Sequence, residues 1–378
     1  MKEKKAIMSN FELMKIVSMI LIVLWHYIHN TYLLDKTDGF LHFVLIIVWF
    51  LAIVHVNSFV IVMGYFQSEK KFRLSRILAL NNAAWFYKVV FLILFIVLGI
   101  GVTSIEKWQL ISPITLYNQY WFLSTYLILY CISPFLNIVI RNISKKKFQK
   151  LLLVLFLLVS ILTTVTGQRI YSTNFGHSVF TFTLLYYLGA YLKKYPIEEN
   201  YYFKNIPVNL RKLIFLFIYI VIGVFNSFLF HYGEELVLSS NSVLNYFGND
   251  ILNLKLGFDN PLVIIQSVMF FLYFYSLKFK SKLVNLISGC TFGVYLIHDN
   301  LLVRKYLYNK FYDFSFEFTF SNVFLRIIIS TIIVFVTCIF IEFLRKKLFR
   351  FLSGRKFSAK LRVKFQELLS SLGMNLNW

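Results

Sequence analysis

The sequence predicts an all-α, polytopic integral membrane protein of about ten transmembrane helices with both termini in the cytoplasm. Three observations carry that expectation. Hydrophobic residues make up 58% of the 378, mean hydropathy is +0.69 and only 15% of residues are charged, well below the roughly 25% of a soluble domain. Only five prolines and fifteen glycines interrupt the apolar runs, and most runs approach the ~20 residues that cross a bilayer as helix. Basic clusters separate the runs on alternate loops, the pattern that fixes orientation during insertion.

The first span, 11–33, follows MKEKK. It is too long for a signal peptide and has no small-residue cleavage site after it, so it reads as an uncleaved helix. Spans at about 41–66, 84–104, 121–140 and 150–167 follow, then a short one at 178–192. The last four lie at about 213–231, 258–276, 283–303 and 321–343, and no repeat of 20–50 residues is visible. With the N-terminus inside, inner segments hold 29 Lys and Arg and outer loops hold 7. That imbalance places both termini in the cytoplasm and favours an even number of spans. It also explains the net charge of +22 without a nucleic-acid partner, since the cations are spread over loops that face anionic lipid. No loop is long enough for a soluble catalytic domain. Residues 1–343 therefore read as one transmembrane domain, and 344–378 as a basic amphipathic cytoplasmic tail along the inner headgroups. Chemistry must occur between the helices or at their mouths.

Lys15 and His26 are the most informative pair. Eleven residues separate them, about three helical turns, so they share one face of span 1 some 16 Å apart along the axis. Glu12 and His29 lie close to the same face. Ionisable groups along an apolar span are costly and mark a functional path. Snorkelling to the headgroups is the alternative for Lys15. His26 lies too deep for that, and a neutral imidazole there suits general acid–base work. His298, in the VYLIH stretch of span 9, is expected at a similar depth, as base or as orienting partner. Span 4 opens on Tyr120 and Trp121, which suit the aromatic belt or a stacked acceptor. Tyr126 is a relay candidate, and Pro134 should disturb the helix and free a carbonyl. Lys70, Lys71, Arg73 and Arg76 sit between spans 2 and 3, explained by orientation or by phosphates of a cytoplasmic donor. His42, His55, His177 and His231 carry no motif. The three cysteines, Cys131, Cys290 and Cys338, read as small buried hydrophobes. There is no phosphate-binding glycine loop, no G-x-S-x-G and no metal-ligand spacing.

These residues resemble the membrane-bound acyltransferase family 3, whose first span carries Arg or Lys, ten residues, then His. Lys15 and His26 fit that spacing. Trp121–Asn137 and Val294–His298 resemble two further spans of its polysaccharide O-acyltransferase branch, and the likeness covers Phe11 to about Leu344. The resemblance implies a bacterial plasma-membrane enzyme. It would move an acyl group, commonly acetyl, from cytoplasmic acyl-CoA to a hydroxyl of a surface or lipid-linked glycan, with polysaccharide-assembly proteins as possible partners. It implies His26 and Lys15 as catalytic residues. It also implies that Lys15 helps hold the donor; from their own placement, Arg73 and Arg76 are expected to join it there, and Glu12, Trp121, Tyr126 and His298 to serve acceptor or relay. No bound cofactor and no metal are expected; acyl-CoA is the co-substrate. An Arg-x-x-x-Ser motif described for some members is not met, because Ile77 follows Arg73 at that spacing and Leu80 follows Arg76. A flippase or exporter of a lipid-linked glycan is the alternative, using the same groups for passage. A glycan polymerase is disfavoured, since the outer loops carry only Arg169 and Arg304.

Overall fold

The computed structural model describes residues 8–112, 118–166, 174–238, 241–244, 248, 257–311 and 319–353. The chain forms α1 (Ser9–Asn30), α2 (Gly39–Ala52), α3 (His55–Gln67), α4 (Leu74–Val97), α5 (Ser104–Ile111), α6 (Trp121–Asn142) and α7 (Lys145–Val165). There follow α8 (Val179–Lys194), α9 (Val208–Val237), α10 (Pro261–Tyr275), α11 (Lys282–Ser288), α12 (Thr291–His298), α13 (Leu301–Phe311) and α14 (Phe320–Ser353). The fold is all-α. Among the described residues, seven segments are long and apolar enough to cross a membrane, or eight if the bent pair α11/α12 and α13 is one span. The ten expected spans differ from this in two places. Helices α8 and α10 have 16 and 15 residues, short of the ~20 that a bilayer core needs.

Burial divides the bundle into centre and rim. In the most apolar window of α2–α3, 72% of residues are buried, against 22–33% for α4, α7, α9 and α14, whose side chains face outwards. At the centre α3 and α8 touch along their backbones. A Cβ on Gly64 would lie 2.1 Å from the Tyr186 carbonyl oxygen, and one on Gly189 would lie 2.1 Å from that of Ile61. Two glycines, each set against the other helix's backbone, allow the close approach that substitutes for hydrophobic drive in lipid.

Polar side chains hold the helix ends. Asn260 precedes Pro261, the first residue of α10, and its Oδ1 accepts from Leu262 N at 2.8 Å. This is a capped start with proline where no donor is needed. On α5, Thr103 and Glu106 form a reciprocal capping box, whose hydrogen bonds from Thr103 hold the Glu106 carboxyl below its usual range. Pro134 lies inside α6, and the Tyr130 carbonyl it leaves without a helical donor accepts from Ser133 Oγ at 2.8 Å. A π-turn at Leu157–Ile161 of α7 buries Ser160, which donates to Asp259 O at 2.5 Å.

The basic loops meet on one face of the bundle. Asn10 donates to Phe274 O at 3.0 Å, Asn137 to Gln67 O at 3.1 Å, and Lys194 to Ile140 O at 2.5 Å; Lys193 and Glu69 are 3.7 Å apart. These contacts join the ends of α1, α3, α6, α8 and α10. The opposite face is joined by Asn300 to Tyr120, Lys305 to Glu106, and His42 to Glu234. Tyr120, expected in an interfacial belt, is instead fully buried and donates to Leu296 O at 2.7 Å. Span 9 is not straight: it breaks after His298 with a 77° bend into α13. Helix α14 continues past Phe343 to Ser353, while residues 354–378 of the expected tail lie outside the described residues.

Candidate active site

A cavity of about 740 Å³ runs through the bundle from the basic face towards the other. Helix α1 forms one wall, and its apolar–polar spacing decides what enters. Glu12, Lys15, Met19, Ile22 and His26 all line the cavity, as expected for residues three to four apart on one helical face. Lys15 and His26 thus open onto the same space at different depths. Helices α3, α6 and α12 supply most of the remaining walls, with Arg76 of α4 and Lys193 of α8 at the basic mouth.

At that mouth charges are cross-linked. Lys15 Nζ lies 2.7 and 2.8 Å from the two oxygens of Glu12, which also accepts from Ser288 Oγ. Arg76 donates to Tyr126 Oη at 2.8 Å and to Gln67 Oε1 at 3.3 Å, and its guanidinium lies 5.1 Å from the centre of the Tyr130 ring. Lys15, Lys70, Arg76 and Lys193 outnumber the carboxylates Glu12 and Glu69 on this lining, so the mouth favours an anion. Arg73 is exposed and does not line the cavity; its backbone N–H donates to Tyr130 Oη at 3.1 Å.

At the far end two histidines pair. His26 Nδ1 is 3.0 Å from His298 Nε2, and His298 Nδ1 is 2.6 Å from Val294 O. The tautomers follow from the acceptors. A backbone carbonyl accepts only, so His298 carries its proton on Nδ1 and offers a lone pair at Nε2. His26 Nδ1 must then be the donor between the rings. That leaves the Nε2 of neutral His26 with a free lone pair, on a side chain that lines the cavity. His298 is fully buried, and its place is set by the helix break. It is the last residue of α12, and Asn300 beyond it both caps α13 through Leu302 N at 3.1 Å and donates to Tyr120 Oη at 3.2 Å.

The rim above the pair is aromatic. The ring of Trp121 lies 4.1 Å from that of His177 and 6.0 Å from that of Phe258, with all three on the cavity. Phe258 is fixed by Asn57, which donates to its carbonyl at 2.9 Å. His55, the first residue of α3, is 2% exposed and also lines the cavity; neither of its ring nitrogens has a hydrogen-bond partner among the described residues.

The structure therefore pairs His26 with His298 and Lys15 with Glu12, and puts Trp121 and Arg76 on the same cavity lining as His26 and Lys15. Glu12 stands on Lys15 instead of beside the aromatic rim, and the hydroxyl of Tyr126 is engaged by Arg76. His29 stacks on Trp25 at 5.0 Å, off the cavity. Sequence reasoning missed His55, His177, Phe258, Gln67 and Lys193. Only the helix break carried a signal, in Asp299-Asn300 ahead of an apolar run, a capping pattern.

A family model described as an acyltransferase domain matches residues 8–343. No curated protein and no solved structure matches the chain.

Proposed function

Since the chain belongs to the acyltransferase-domain family, we propose that it moves an acyl group from cytoplasmic acyl-CoA, acetyl-CoA foremost, to a hydroxyl of an extracytoplasmic glycan. One observation carries this reading: a cavity with a cationic mouth at one end and a hydrogen-bonded histidine pair beneath aromatic rings at the other. The positive-inside imbalance orients the cationic mouth to the cytoplasm. Donor phosphates rest on Lys15, Arg76 and Lys193 through charge-assisted hydrogen bonds. The thioester arm extends along α1 towards His26, over the roughly 16 Å that eleven helical residues span. The sugar ring stacks on Trp121, and His55 donates to or accepts from its hydroxyls.

Nε2 of His26 takes the proton of the attacking hydroxyl as its oxygen bonds to the thioester carbonyl carbon. The C–S bond then breaks, and the proton passes from His26 to the departing sulfur. The products are a glycan ester and the free thiol of CoA. His298 accepts from His26 Nδ1 throughout, which fixes the ring and disperses the charge it acquires. It is a positioning residue. The bacterial plasma membrane is the proposed location, and assembly proteins for surface polysaccharide are the proposed partners.

The deciding experiment measures thiol release from acetyl-CoA by the purified chain with surface glycan, beside ester content of the polysaccharide from cells lacking the gene. Thiol release that depends on glycan, and esters that vanish on deletion, support the proposal. A polymer that keeps its esters but accumulates inside the cell overturns it in favour of an exporter.

A further inference from the structure

The far face holds a second histidine cluster, remote from the cavity. His42 is the fourth residue of α2, and His231 and Glu234 lie on one face of the last turns of α9. His42 Nδ1 is 3.1 Å from the Leu34 carbonyl, so the proton of a neutral His42 sits on Nδ1 and its Nε2 carries a lone pair. That nitrogen is 2.9 Å from Glu234 Oε2. Two acceptors do not approach this closely unless a cation stands between them or joins one of them. His231 Nδ1 is 3.8 Å from the same oxygen, and the atom is buried without a hydrogen bond among the described residues. Glu235 faces the other nitrogen of His231 at 3.6 Å, which favours the proton there and leaves Nδ1 as a donor of electrons. The potential ligand atoms of His42, His231 and Glu234 all lie within 4.8 Å of one another.

We propose that His42, His231 and Glu234 form a divalent-metal site that clamps the far end of α9 to the start of α2, with zinc the best match. Two imidazoles and a carboxylate suit zinc and its neighbours better than calcium or magnesium, which prefer all-oxygen shells. Zinc bonds of about 2.0–2.1 Å to nitrogen and about 2.0–2.2 Å to carboxylate oxygen are reached by small side-chain adjustments from this spacing. The Leu34 carbonyl on His42 and the Glu235 carboxylate by His231 are the outer partners that orient ligating imidazoles. Three protein ligands leave the remaining position to water. The clamp reinforces an existing contact, in which the ring of Phe43 lies 4.9 Å from that of Phe228 and 5.2 Å from that of His231. The site rests on these residues alone and stands whether or not the chain acylates a glycan.

The test uses the full chain purified in detergent and stripped with a chelator. Cobalt(II) is titrated in while its d–d absorption is followed, and zinc is then added as competitor. One equivalent of cobalt per chain, displaced by zinc and accompanied by a rise in the thermal unfolding midpoint, is expected. Glu234→Gln and His42→Ala are each expected to weaken binding by more than ~10-fold. Absence of saturable binding to the wild-type chain overturns the proposal and leaves a protonated His42–Glu234 pair. So does Glu234→Gln binding as tightly as wild type. The wild-type titration decides the matter even if a variant fails to insert.

Discussion

The two ends of the cavity are built on opposite plans. At the basic mouth the charged groups are cross-linked: Lys15 with Glu12, Glu12 in turn with Ser288, Arg76 with Gln67 and Tyr126, Lys193 with Glu69. At the histidine end one ring depends on one other, His26 on His298, and His55 on the same cavity has neither nitrogen paired among the described residues. Shared charge binds an anion by summation, so no single cation decides it. Proton transfer needs one lone pair at one place. The difference teaches that substitutions at the two ends should change different kinetic constants and by different amounts.

The largest effect is expected at His26. Replacement by alanine removes the lone pair and should lower the transfer rate by roughly 10²–10⁴-fold, the usual contribution of a general base, with membrane protein level unchanged on immunoblot. A retained rate would end the division of labour drawn between the two mouths. His298→Ala should lower kcat by ~10- to 100-fold, the loss seen when the outer partner of a ligating histidine is removed, while KM for acyl-CoA stays constant. His298→Gln keeps an acceptor for His26 Nδ1 and should recover part of the rate. If glutamine does no better than alanine, the orienting hydrogen bond is not what His298 supplies. Trp121→Ala should raise KM for the acceptor by about 2- to 10-fold, corresponding to ~0.5–1.5 kcal/mol of lost ring contact, and leave KM for the donor alone. Lys15→Gln should raise KM for acyl-CoA about fivefold, since a part-exposed ion pair contributes only ~1 kcal/mol; Lys15→Arg should stay near wild type. A larger loss in Lys15→Gln, confined to kcat, would move Lys15 from the shared anion mouth into the chemistry.

Legibility in the sequence followed the range of the interaction. The spacing of Lys15 and His26 lies on one helix, where 3.6 residues per turn fixes who shares a face. Grouping basic loops needs only alternation along the chain, and the contacts at the ends of α1, α3, α6, α8 and α10 agree with it. His298 could be matched to His26 in depth, because both follow from counting residues along a span. The 3.0 Å contact between their rings could not, as it depends on the rotation of α12 against α1. His55, His177 and Phe258 come from three separate stretches whose meeting is set by packing and by the break between α2 and α3. His42 and His231 looked isolated for the same reason, being 189 positions apart in the chain. The expected ten spans and the seven or eight long apolar segments among the described residues differ only at two short helices. Lys193, Lys194 and Pro196 bound the end of α8, and Asp259, Lys278 and Lys280 bound α10, so both apolar runs are already short in the sequence.

The passage between the two mouths has an electrical consequence. In the proposed reaction the anionic donor remains at the cationic mouth, and only a neutral acyl group travels outward. The hydrogen abstracted by His26 leaves in the other direction as part of a neutral thiol. The exchange therefore moves no net charge through the bilayer, and an ionophore that collapses the membrane voltage should leave turnover unchanged, as followed by ester formation in sealed vesicles. Such a device would export chemical groups without drawing on the energy stored across the membrane, its direction set by the free energy of the thioester alone.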